Sequence, residues 1–455
     1  MNRTTIAAVA TAPGQGGIGI VRVSGPEALA VAQRIFRPVG RRTVRDMKGY
    51  TAALGRLFDA AGDVDDAILT VYRAPKSYTG EDVAELSCHG GPVAVRALLR
   101  LCLENGASPA EPGEFTKRAF LAGKMDLSQA EAVMDLIGAS GEGALRAALS
   151  GRDGAISRRI AHIVDALTGL AAHMAAWADY PDEDVEDLDI NVLTGKLTAI
   201  LSDISQLLST YDQGRILREG VLTAIVGKPN VGKSTLMNLL SGAQRSIVTD
   251  IPGTTRDVVE QPVQLGSCLL RLADTAGIRE SEDPVEQMGI QLARRQIQQA
   301  DLVLAVFDNA DKLDKLDEEL LASVGDKPCV AIVNKVDLPR QLDDTRIRSY
   351  ANAVVYLSAK SGEGGDTLSR EIQRVLGLSV GDPNAPMVAN ERQRYCLLEA
   401  EDNLRQALAA AQEGVTLDAV DVLLETALDK LLRLTGQRAS TRVVEEVFER
   451  FCVGK

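Results

Sequence analysis

The chain has 455 residues, 45% of them hydrophobic and 25% charged, which is an ordinary globular composition and enough sequence for about three domains. A formal net charge of −13 argues against a broad nucleic-acid-binding surface, and no apolar run reaches the length of a membrane span. Six scattered cysteines without a C-x-x-C pair support neither a disulfide framework nor a zinc site, and the N-terminus lacks the apolar core of a signal peptide, so we expect a cytoplasmic protein.

Residues 1–120 alternate short apolar strands with two helices, which predicts an α+β domain. The predicted strands are TIAAVAT, GIGIVRVSG, AALGRLF, DAILTVY and DVAELSC, and the predicted helices are PEALAVAQRIF and PVAVRALLRLCLENG. Glycine-rich turns at 14–19 and 90–91 separate these elements. His89 lies at the end of the last predicted strand, a place more typical of a strand cap than of a metal ligand.

Residues 121–215 and 378–455 are rich in Ala and Leu at helical spacing, which predicts two all-α segments. The clearest helical runs are 127–140, 193–211, 391–412 and 417–436. The acidic stretch at 180–189 is expected to be a loop between helices. The simplest arrangement is one helical bundle into which residues 216–377 are inserted as a separate domain, although periodicity alone does not show that the two segments pack together.

The segment GKPNVGKS at 227–234 fits the phosphate-loop pattern G-x-x-x-x-G-K-[ST] without a mismatch. An apolar run at 221–227 precedes it and a helical run at 233–242 follows, which is the strand–loop–helix context that the motif requires. Backbone N–H groups of such a loop and helix N-terminus wrap phosphates. We expect Lys233 to reach the β- and γ-phosphates and Ser234 to hold Mg²⁺.

Three further segments complete a guanine-nucleotide site in chain order: DTAG at 274–277, NKVD at 334–337 and SAK at 358–360. Asp274 follows an apolar strand and fits the carboxylate on the metal side. The Asp337 carboxylate can accept from the ring N–H and the exocyclic amine of guanine, a pair that adenine lacks, so we predict GTP rather than ATP. Asn334 and Lys335 are expected to brace this loop and cover the base.

The switch loop at 246–257 offers the hydroxyls of Thr254 and Thr255 to the γ-phosphate and Mg²⁺, and GTP is expected to order it. The predicted GTP-binding residues are Asn230, Val231, Gly232, Lys233, Ser234, Thr235, Thr249, Asp250, Ile251, Pro252, Gly253, Thr254, Thr255, Asp274, Thr275, Ala276, Gly277, Asn334, Lys335, Asp337, Ser358, Ala359 and Lys360.

The residue after the D-x-x-G turn, a water-orienting Gln in many GTPases, is Ile278, whose side chain cannot hydrogen-bond a water. Hydrolysis is therefore either very slow or dependent on another residue. The residues alone leave four acidic candidates open: Glu280, Glu282, Asp283 and Glu286.

Taken together, the motifs resemble the MnmE/TrmE family of tRNA-modification GTPases over essentially the whole chain. The likeness rests on the G motifs with GTTRD and on the segments 13–25, 77–91, 112–132 and 451–455, the last of which reads FCVGK. The resemblance implies three domains. Residues 1–120 would bind folate and dimerise, residues 121–215 with 378–455 would form the helical domain, and 216–377 would be an inserted α/β P-loop, Ras-like GTPase domain.

The resemblance also implies an activity, namely GTP hydrolysis that drives addition of an aminomethyl or carboxymethylaminomethyl group to C5 of the wobble uridine in certain tRNAs. The implied partners are a second copy of the chain, an MnmG/GidA-type protein that brings FAD and NADH in a heterotetramer, and tRNA, with no membrane. A 5,10-methylene- or 5-formyl-tetrahydrofolate would supply one carbon, and ammonium or glycine the nitrogen. A GTP-switched assembly factor without modification chemistry also fits the G motifs.

Individual roles follow from the same resemblance. Asn230, Thr249, Ile251 and Thr254 would hold K⁺, which stimulates hydrolysis when G domains associate, and Ser234 and Thr255 would ligate Mg²⁺. Glu286 would orient the attacking water, and Arg256 would complete the switch loop. Folate would contact Arg22, Glu81, Lys124 and Lys455. Cys452 would lie near the folate as an acid, base or nucleophile, the alternative being a tail thiol packed on the bundle.

Overall fold

The computed structural model describes residues 4–40, 43–179, 190–242, 260–266, 268–273, 294–378 and 385–454, with the backbone alone at 176–179 and 260–261. The chain divides into two compact units. The first unit comprises Met1–Met134, Ile160–Asp179 and Asp421–Lys455, and the second comprises Asp135–Arg159 and Tyr180–Val420. Among the described helices, none combines the length and apolar character that crossing a membrane requires.

Strands and helices are numbered along the chain. The strands are β1 Ile6–Val9, β2 Ile18–Ser24, β3 Phe36–Pro38, β4 Thr51–Asp59, β5 Gly62–Tyr72, β6 Val83–His89, β7 Ser108–Pro109, β8 Val221–Val226, β9 Glu260–Leu265, β10 Cys268–Ala273, β11 Leu302–Asp308, β12 Cys329–Asn334 and β13 Ala353–Tyr356. The helices include α1 Ala28–Ile35, α2 Pro92–Glu104, α3 Glu114–Leu121, α4 Leu127–Gly138, α5 Glu142–Arg152, α6 Ala155–Asp179, α7 Ile190–Ser209, α8 Tyr211–Glu219, α9 Lys233–Gly242, α10 Lys315–Val324, α11 Ile347–Tyr350, α12 Gly365–Val375, α13 Glu391–Glu413, α14 Leu417–Thr435 and α15 Thr441–Glu449.

The first unit is built on a seven-stranded sheet with the order β3-β4-β5-β6-β2-β1-β7. Its neighbouring strands are antiparallel except for the parallel pair β1 and β7. The five predicted strands and both predicted helices are present, which confirms the α+β class. The short edge strands β3 and β7 and the helix α3 were not predicted.

Alternation along β2 and β6 decides which side chains reach the first core. Val21, Val23 and Leu86 point to the face that α1 and α2 cover, and all three are fully buried. The intervening residues Arg22 and Glu85 lie opposite each other in the antiparallel register, on the other face of the sheet. The sheet therefore presents a pair of opposite charges on the face opposite α1 and α2.

His89, the last residue of β6, is fixed by one aspartate. Its backbone N–H donates to Asp65 Oδ2 at 3.0 Å, and its Nδ1 lies 2.7 Å from Asp65 Oδ1. The hydrogen bond and the charge of Asp65 raise the pKa of His89 above its usual value. The position is that of a strand end tied to the neighbouring strand β5.

A separate apolar cluster in the first unit joins α3, α4 and α15. It contains Leu127 and the rings of Phe448 and Phe451, whose centroids are 5.1 Å apart and whose planes are tilted by 43°, with Phe120 packed beside them. Ser128 Oγ also donates to the carbonyl of Leu434 at 3.1 Å. These contacts hold the last helix, and the chain that follows it, within the unit that contains the N-terminal sheet.

The second unit is built on a six-stranded sheet with the order β13-β12-β11-β8-β10-β9, in which only β9 runs antiparallel to its neighbour. Alternate residues of β11 enter two different cores. Leu304 packs in the core that includes Leu236 of α9, and Ala305 packs in the core that includes Leu321 of α10. Burial on both faces explains why this strand is continuously apolar, and it confirms the predicted α/β class.

Helices that precede and follow the nucleotide domain meet within the second unit. α7 packs along α13, and Ser205 Oγ donates to Glu401 between them. Tyr211 at the start of α8 donates to Glu391 at the start of α13. The sheet of the nucleotide domain is thus inserted between chain segments that pack on each other. The acidic stretch at 180–189, predicted as a loop, lies outside the described residues.

Candidate nucleotide and folate sites

The phosphate loop runs from the end of β8 to the start of α9, and its backbone requires glycine at two points. Gly227 and Gly232 have φ of +153° and +99°. A Cβ on Gly232 would lie 2.2 Å from Nδ2 of Asn334, so only glycine lets the loop approach that side chain. Asn230, at the exposed tip, also has a positive φ of 63°.

The ammonium group of Lys233 folds over the same loop. Its Nζ donates to the carbonyl oxygens of Gly227 at 2.8 Å and Lys228 at 2.7 Å. Burial lowers the pKa of Lys233, because the charged form loses hydration there. A phosphate group would restore a favourable partner to this ammonium. Ser234 and Thr235 lie on the exposed first turn of α9, beside the loop.

Asn334, the last residue of β12, joins three loops through one buried amide. Its side chain is only 3% exposed. Nδ2 donates to the carbonyl of Val231 at 2.8 Å, and Oδ1 accepts from the backbone N–H of Ala359 at 2.9 Å. The phosphate loop, the NKVD loop and the SAK loop therefore meet at the carboxyl edge of the parallel strands, where open α/β sheets bind ligands.

The base end of the site displays an ionised carboxylate. Ser358 Oγ donates to Asp337 Oδ1 at 2.8 Å, and this hydrogen bond lowers the pKa of Asp337 below its usual value. The carboxylate is exposed and can accept from a base. Lys335 has a φ of 63°, and its Nζ contacts Asp308 Oδ2 at 2.5 Å, while Lys360 is exposed beside Ala359.

Sequence reasoning missed two acidic anchors of this site. Asp308 ends β11 and holds Lys335, while Asp317 on α10 holds Lys228 of the phosphate loop at 2.8 Å. The strand end at Asp308 was a possible signal, since the carboxyl ends of parallel strands share one edge. Asp317 left no such signal, because it lies inside a charged helical run.

Many predicted nucleotide residues have no described position. Those that lie outside the described residues are Thr249, Asp250, Ile251, Pro252, Gly253, Thr254, Thr255, Arg256, Asp274, Thr275, Ala276, Gly277 and Glu286. Among the residues that are described, no cluster of three or more His, Cys, Asp or Glu side chains could hold a metal ion.

The predicted folate residues gather on the face of the N-terminal sheet opposite α1 and α2, where α3 also packs, starting with Arg22. Its Nε donates to Glu85 Oε1 at 2.8 Å, and its Nη1 donates to the carbonyl of Gly454 at 3.4 Å. The guanidinium lies 5.6 Å from the ring centre of Phe115 and 5.8 Å from that of Tyr78. A cation beside two aromatic rings is an environment that suits a flat, polar ring system.

Glu81 and Lys124 lie close by. Glu81 Oε2 accepts from Ser24 Oγ at 2.9 Å and from Arg118 Nη1 at 3.0 Å, and sequence reasoning did not single out Arg118. Lys124 Nζ donates to the carbonyl of Pro75 at 2.5 Å, and its side chain passes over Gly80. Of the predicted folate residues, Lys455 lies outside the described residues.

The C-terminal tail docks against β1. A Cβ on Gly454, whose φ is +101°, would lie 2.2 Å from the carbonyl oxygen of Val9. The carbonyl of Cys452 accepts from the backbone N–H of Gly113 at 3.4 Å, while its side chain is exposed. The other five cysteines are buried, and burial raises the pKa of Cys102, Cys268 and Cys329 to about 12.

Two protein-family models match this chain. Residues 5–124 match the family model described as the GTP-binding protein TrmE N-terminus, and residues 127–452 match the MnmE helical domain. Proteins named tRNA modification GTPase MnmE are similar over their full length. The one from Heliobacterium modesticaldum is 44% identical over 99% of both chains, and that from Clostridioides difficile is 40% identical over 99% of both.

Two solved structures are similar to part of the chain. Aquifex aeolicus Era bound to GDP and aluminium fluoride is 26% identical, with a TM-score of 0.27, over 40% of this chain and 66% of that one. The G domain of the Thermotoga maritima FeoB transporter is 23% identical, with a TM-score of 0.26, over 34% of this chain and 98% of that one.

Proposed function

The chain belongs to the MnmE/TrmE family of tRNA-modification GTPases, and from this premise we propose that it hydrolyses GTP to drive modification of the wobble uridine of tRNA. The observation that carries the GTPase part is the junction at Asn334, which joins the phosphate loop to the SAK loop beside the Asp337 carboxylate. One rigid edge thus offers backbone donors to phosphates and a carboxylate to a base.

Guanine selection is the part of this proposal that the described residues support most directly. Asp337 is an acceptor only, so it fits the two neighbouring N–H donors of guanine and repels the acceptor that adenine presents there. Ser358 keeps the carboxylate oriented and ionised. Lys335, held by Asp308, would lie along the base.

Hydrolysis is proposed to use Mg²⁺ and K⁺, to which this chain offers hard oxygen donors. The exposed hydroxyl of Ser234 and the exposed amide of Asn230 fit these ions in donor type. The bound ions would neutralise charge that develops on the phosphates. The remaining proposed ligands Thr249, Ile251, Thr254 and Thr255, together with Arg256 and the water-orienting Glu286, are carried over from the family.

Cation dependence can be measured directly. GTP turnover in KCl should exceed turnover in NaCl at equal ionic strength, and Asn230→Ala should remove the difference. Glu286→Ala should lower turnover while GTP binding persists, with Glu282→Ala as the matched control. Equal rates in the two salts would remove K⁺ from the proposal.

The modification itself is proposed to require a folate in the first unit and a flavin-bearing partner. Arg22, Glu81 and Lys124 supply a guanidinium, a carboxylate and an ammonium on one face, a donor set that suits the carboxylates and pterin N–H groups of a tetrahydrofolate. Lys455 and Cys452 would act from the tail. The FAD and NADH belong to an MnmG/GidA-type partner, which would form a heterotetramer with a homodimer of this chain.

The decisive test is mass spectrometry of tRNA nucleosides from cells with and without this protein. Deletion should remove the C5-aminomethyl-type uridines, wild type should restore them, and Asp337→Ala should not. Complementation with Cys452→Ser tests the tail. If the thiol is catalytic, this variant should fail to restore the modified uridines, and if it is only packed, the variant should restore them. An unchanged nucleoside profile would instead favour a GTP-switched assembly factor.

A further inference from the structure

The phosphate loop carries a second lysine, Lys228, whose side chain pairs with two aspartates at the start of α10. Its Nζ lies 2.8 Å from Asp317 Oδ2 and 3.0 Å from Asp314 Oδ2. The Asp317 side chain is only 4% exposed, and that of Lys228 is 19% exposed. An ion pair so shielded from water has a defined geometry, unlike a pair between mobile surface side chains.

The two aspartates are themselves fixed, because they form the capping box of α10. The Asp314 side chain accepts from the backbone N–H of Asp317, and the Asp317 side chain accepts from that of Asp314 at 3.2 Å. Burial raises the pKa of Asp317, and the hydrogen bond from Lys228 opposes that shift. Lys228 is therefore tied to the start of a helix rather than to a flexible loop.

The backbone of Lys228 has a different task from its side chain. Its carbonyl oxygen accepts from Lys233 Nζ at 2.7 Å, which is one of the two contacts that hold the phosphate-binding lysine. Displacement of Lys228 would move this carbonyl, and with it the position of the Lys233 ammonium. The ion pair thus acts on the nucleotide site without a contact to the nucleotide.

The other end of the same chain segment braces the base loop. We call residues 308–317 the bracing segment. Asp308 contacts Lys335, and the buried Asn309 donates from its backbone to the carbonyl of Asn334 at 2.8 Å and from Nδ2 to that of Leu338 at 2.9 Å. The bracing segment therefore holds the phosphate loop at one end and the NKVD loop at the other.

We propose that Lys228 is a positioning residue for the nucleotide site. Its pairing with Asp317 and Asp314 sets the phosphate loop against the bracing segment, which in turn holds the loop that reads the base. The inference rests on the proposed guanine-nucleotide binding at this site. It deepens that proposal by naming Lys228, which occupies an x position of the pattern G-x-x-x-x-G-K-[ST].

The test is equilibrium binding of fluorescently labelled GDP to the full chain, with thermal unfolding of the same samples. Lys228→Met should weaken GDP binding about tenfold, and Lys228→Arg should bind within about threefold of wild type. Lys312→Met, which removes an equal charge from an exposed position on the bracing segment, should bind as wild type does.

A double variant separates positioning from simple stability. Lys228→Met leaves a buried aspartate without its cation, whereas Lys228→Met with Asp317→Asn removes both charges and keeps an acceptor for the helix cap. We expect the double variant to recover the melting temperature but not the GDP affinity. Recovery of both together, or GDP binding by Lys228→Met within twofold of wild type, would overturn the inference. Failure of the wild type to bind GDP would overturn the proposed function instead.

Discussion

The amide of Asn334 shows how one side chain can hold a whole site together. Both of its polar atoms hydrogen-bond to the protein backbone, one in the phosphate loop and one in the SAK loop. Asn334 therefore supports nucleotide binding by fixing the position of the phosphate loop relative to the SAK loop. An apolar replacement would leave the carbonyl of Val231 and the N–H of Ala359 buried without this partner.

Asn334→Ala is accordingly expected to lower the free energy of unfolding of the nucleotide domain by about 2 kcal/mol, the usual scale for buried groups left unpaired. Nucleotide affinity should fall at least tenfold, since both loops lose their shared anchor. Calorimetric unfolding and labelled-GDP titration measure the two effects. Asn238→Ala, on the exposed side of α9, is the matched control and should change neither.

His89 provides a pH-dependent prediction at the same scale. Since its pKa is raised by Asp65, the protonated pair stabilises the fold below about pH 6.5, the ordinary histidine pKa. That stabilisation is lost as the pH rises through the higher folded pKa. In NMR titrations of the imidazole, Asp65→Asn should return the pKa of His89 toward 6.5, while Asp66→Asn should lower it much less. A His89 pKa unaffected by Asp65→Asn would contradict the assignment.

Among the elements, the strands and motif-bearing helices were the most predictable from sequence. β8 and α9 match the runs expected around the phosphate loop, and β10 matches the apolar strand expected before Asp274. A buried parallel strand must be continuously apolar, and a loop-to-helix junction needs its glycine and lysine. The edge strands β3 and β7 span three and two residues, too short to show a period.

The anchors of the sites were less predictable, for a physical reason. Lys228 and Asp314 are 86 positions apart, and Glu81 and Arg118 are 37 apart, so each pairing exists only after the chain has folded. In the local sequence, Asp314 and Arg118 look like ordinary charged surface residues. The motifs identified the residues that would face the ligands, whereas the residues that hold those in place required the structure.

Docking of the C-terminal tail is sensitive to the addition of a single methyl group. Gly454→Ala would place a Cβ 2.2 Å from the carbonyl of Val9 and force a side chain onto a φ of +101°. The tail should leave β1 and lose its contact with Arg22. We expect 5-formyl-tetrahydrofolate binding, measured by titration calorimetry, to weaken about tenfold while GDP binding is unchanged.

Val453→Ala is the control for the tail, because the Val453 side chain is 57% exposed and its truncation leaves the backbone path intact. Folate binding by this variant should equal that of the wild type. If Gly454→Ala also bound folate normally, the docked tail would not belong to the folate site.

At the scale of the whole molecule, the chain has two compact units that each contain a sheet and a core. The proposed folate residues belong to the first unit, and the proposed nucleotide residues belong to the second. A ligand stabilises the state that binds it, by about 2.7 kcal/mol when its free concentration is 100 times its dissociation constant.

Differential scanning calorimetry should therefore resolve two transitions that respond to different ligands. GDP with Mg²⁺ should raise the temperature of one transition, and 5-formyl-tetrahydrofolate should raise that of the other. Asp337→Ala should abolish the first response alone, and Arg22→Ala the second alone. A single transition that both ligands shift equally would show that the two units unfold as one.

The exposed thiol of Cys452 allows the protein to be labelled at a single site for spectroscopy. A water-borne maleimide dye can reach the exposed sulfur of Cys452, whereas the folded chain shields the other five. The unmodified sequence should thus accept one dye per chain, without removal of any cysteine, at the end of the tail that docks beside Arg22. The fluorescence of the dye would report docking and release of the tail at β1 in real time. The first unit could thus be followed while the second unit binds and hydrolyses nucleotide.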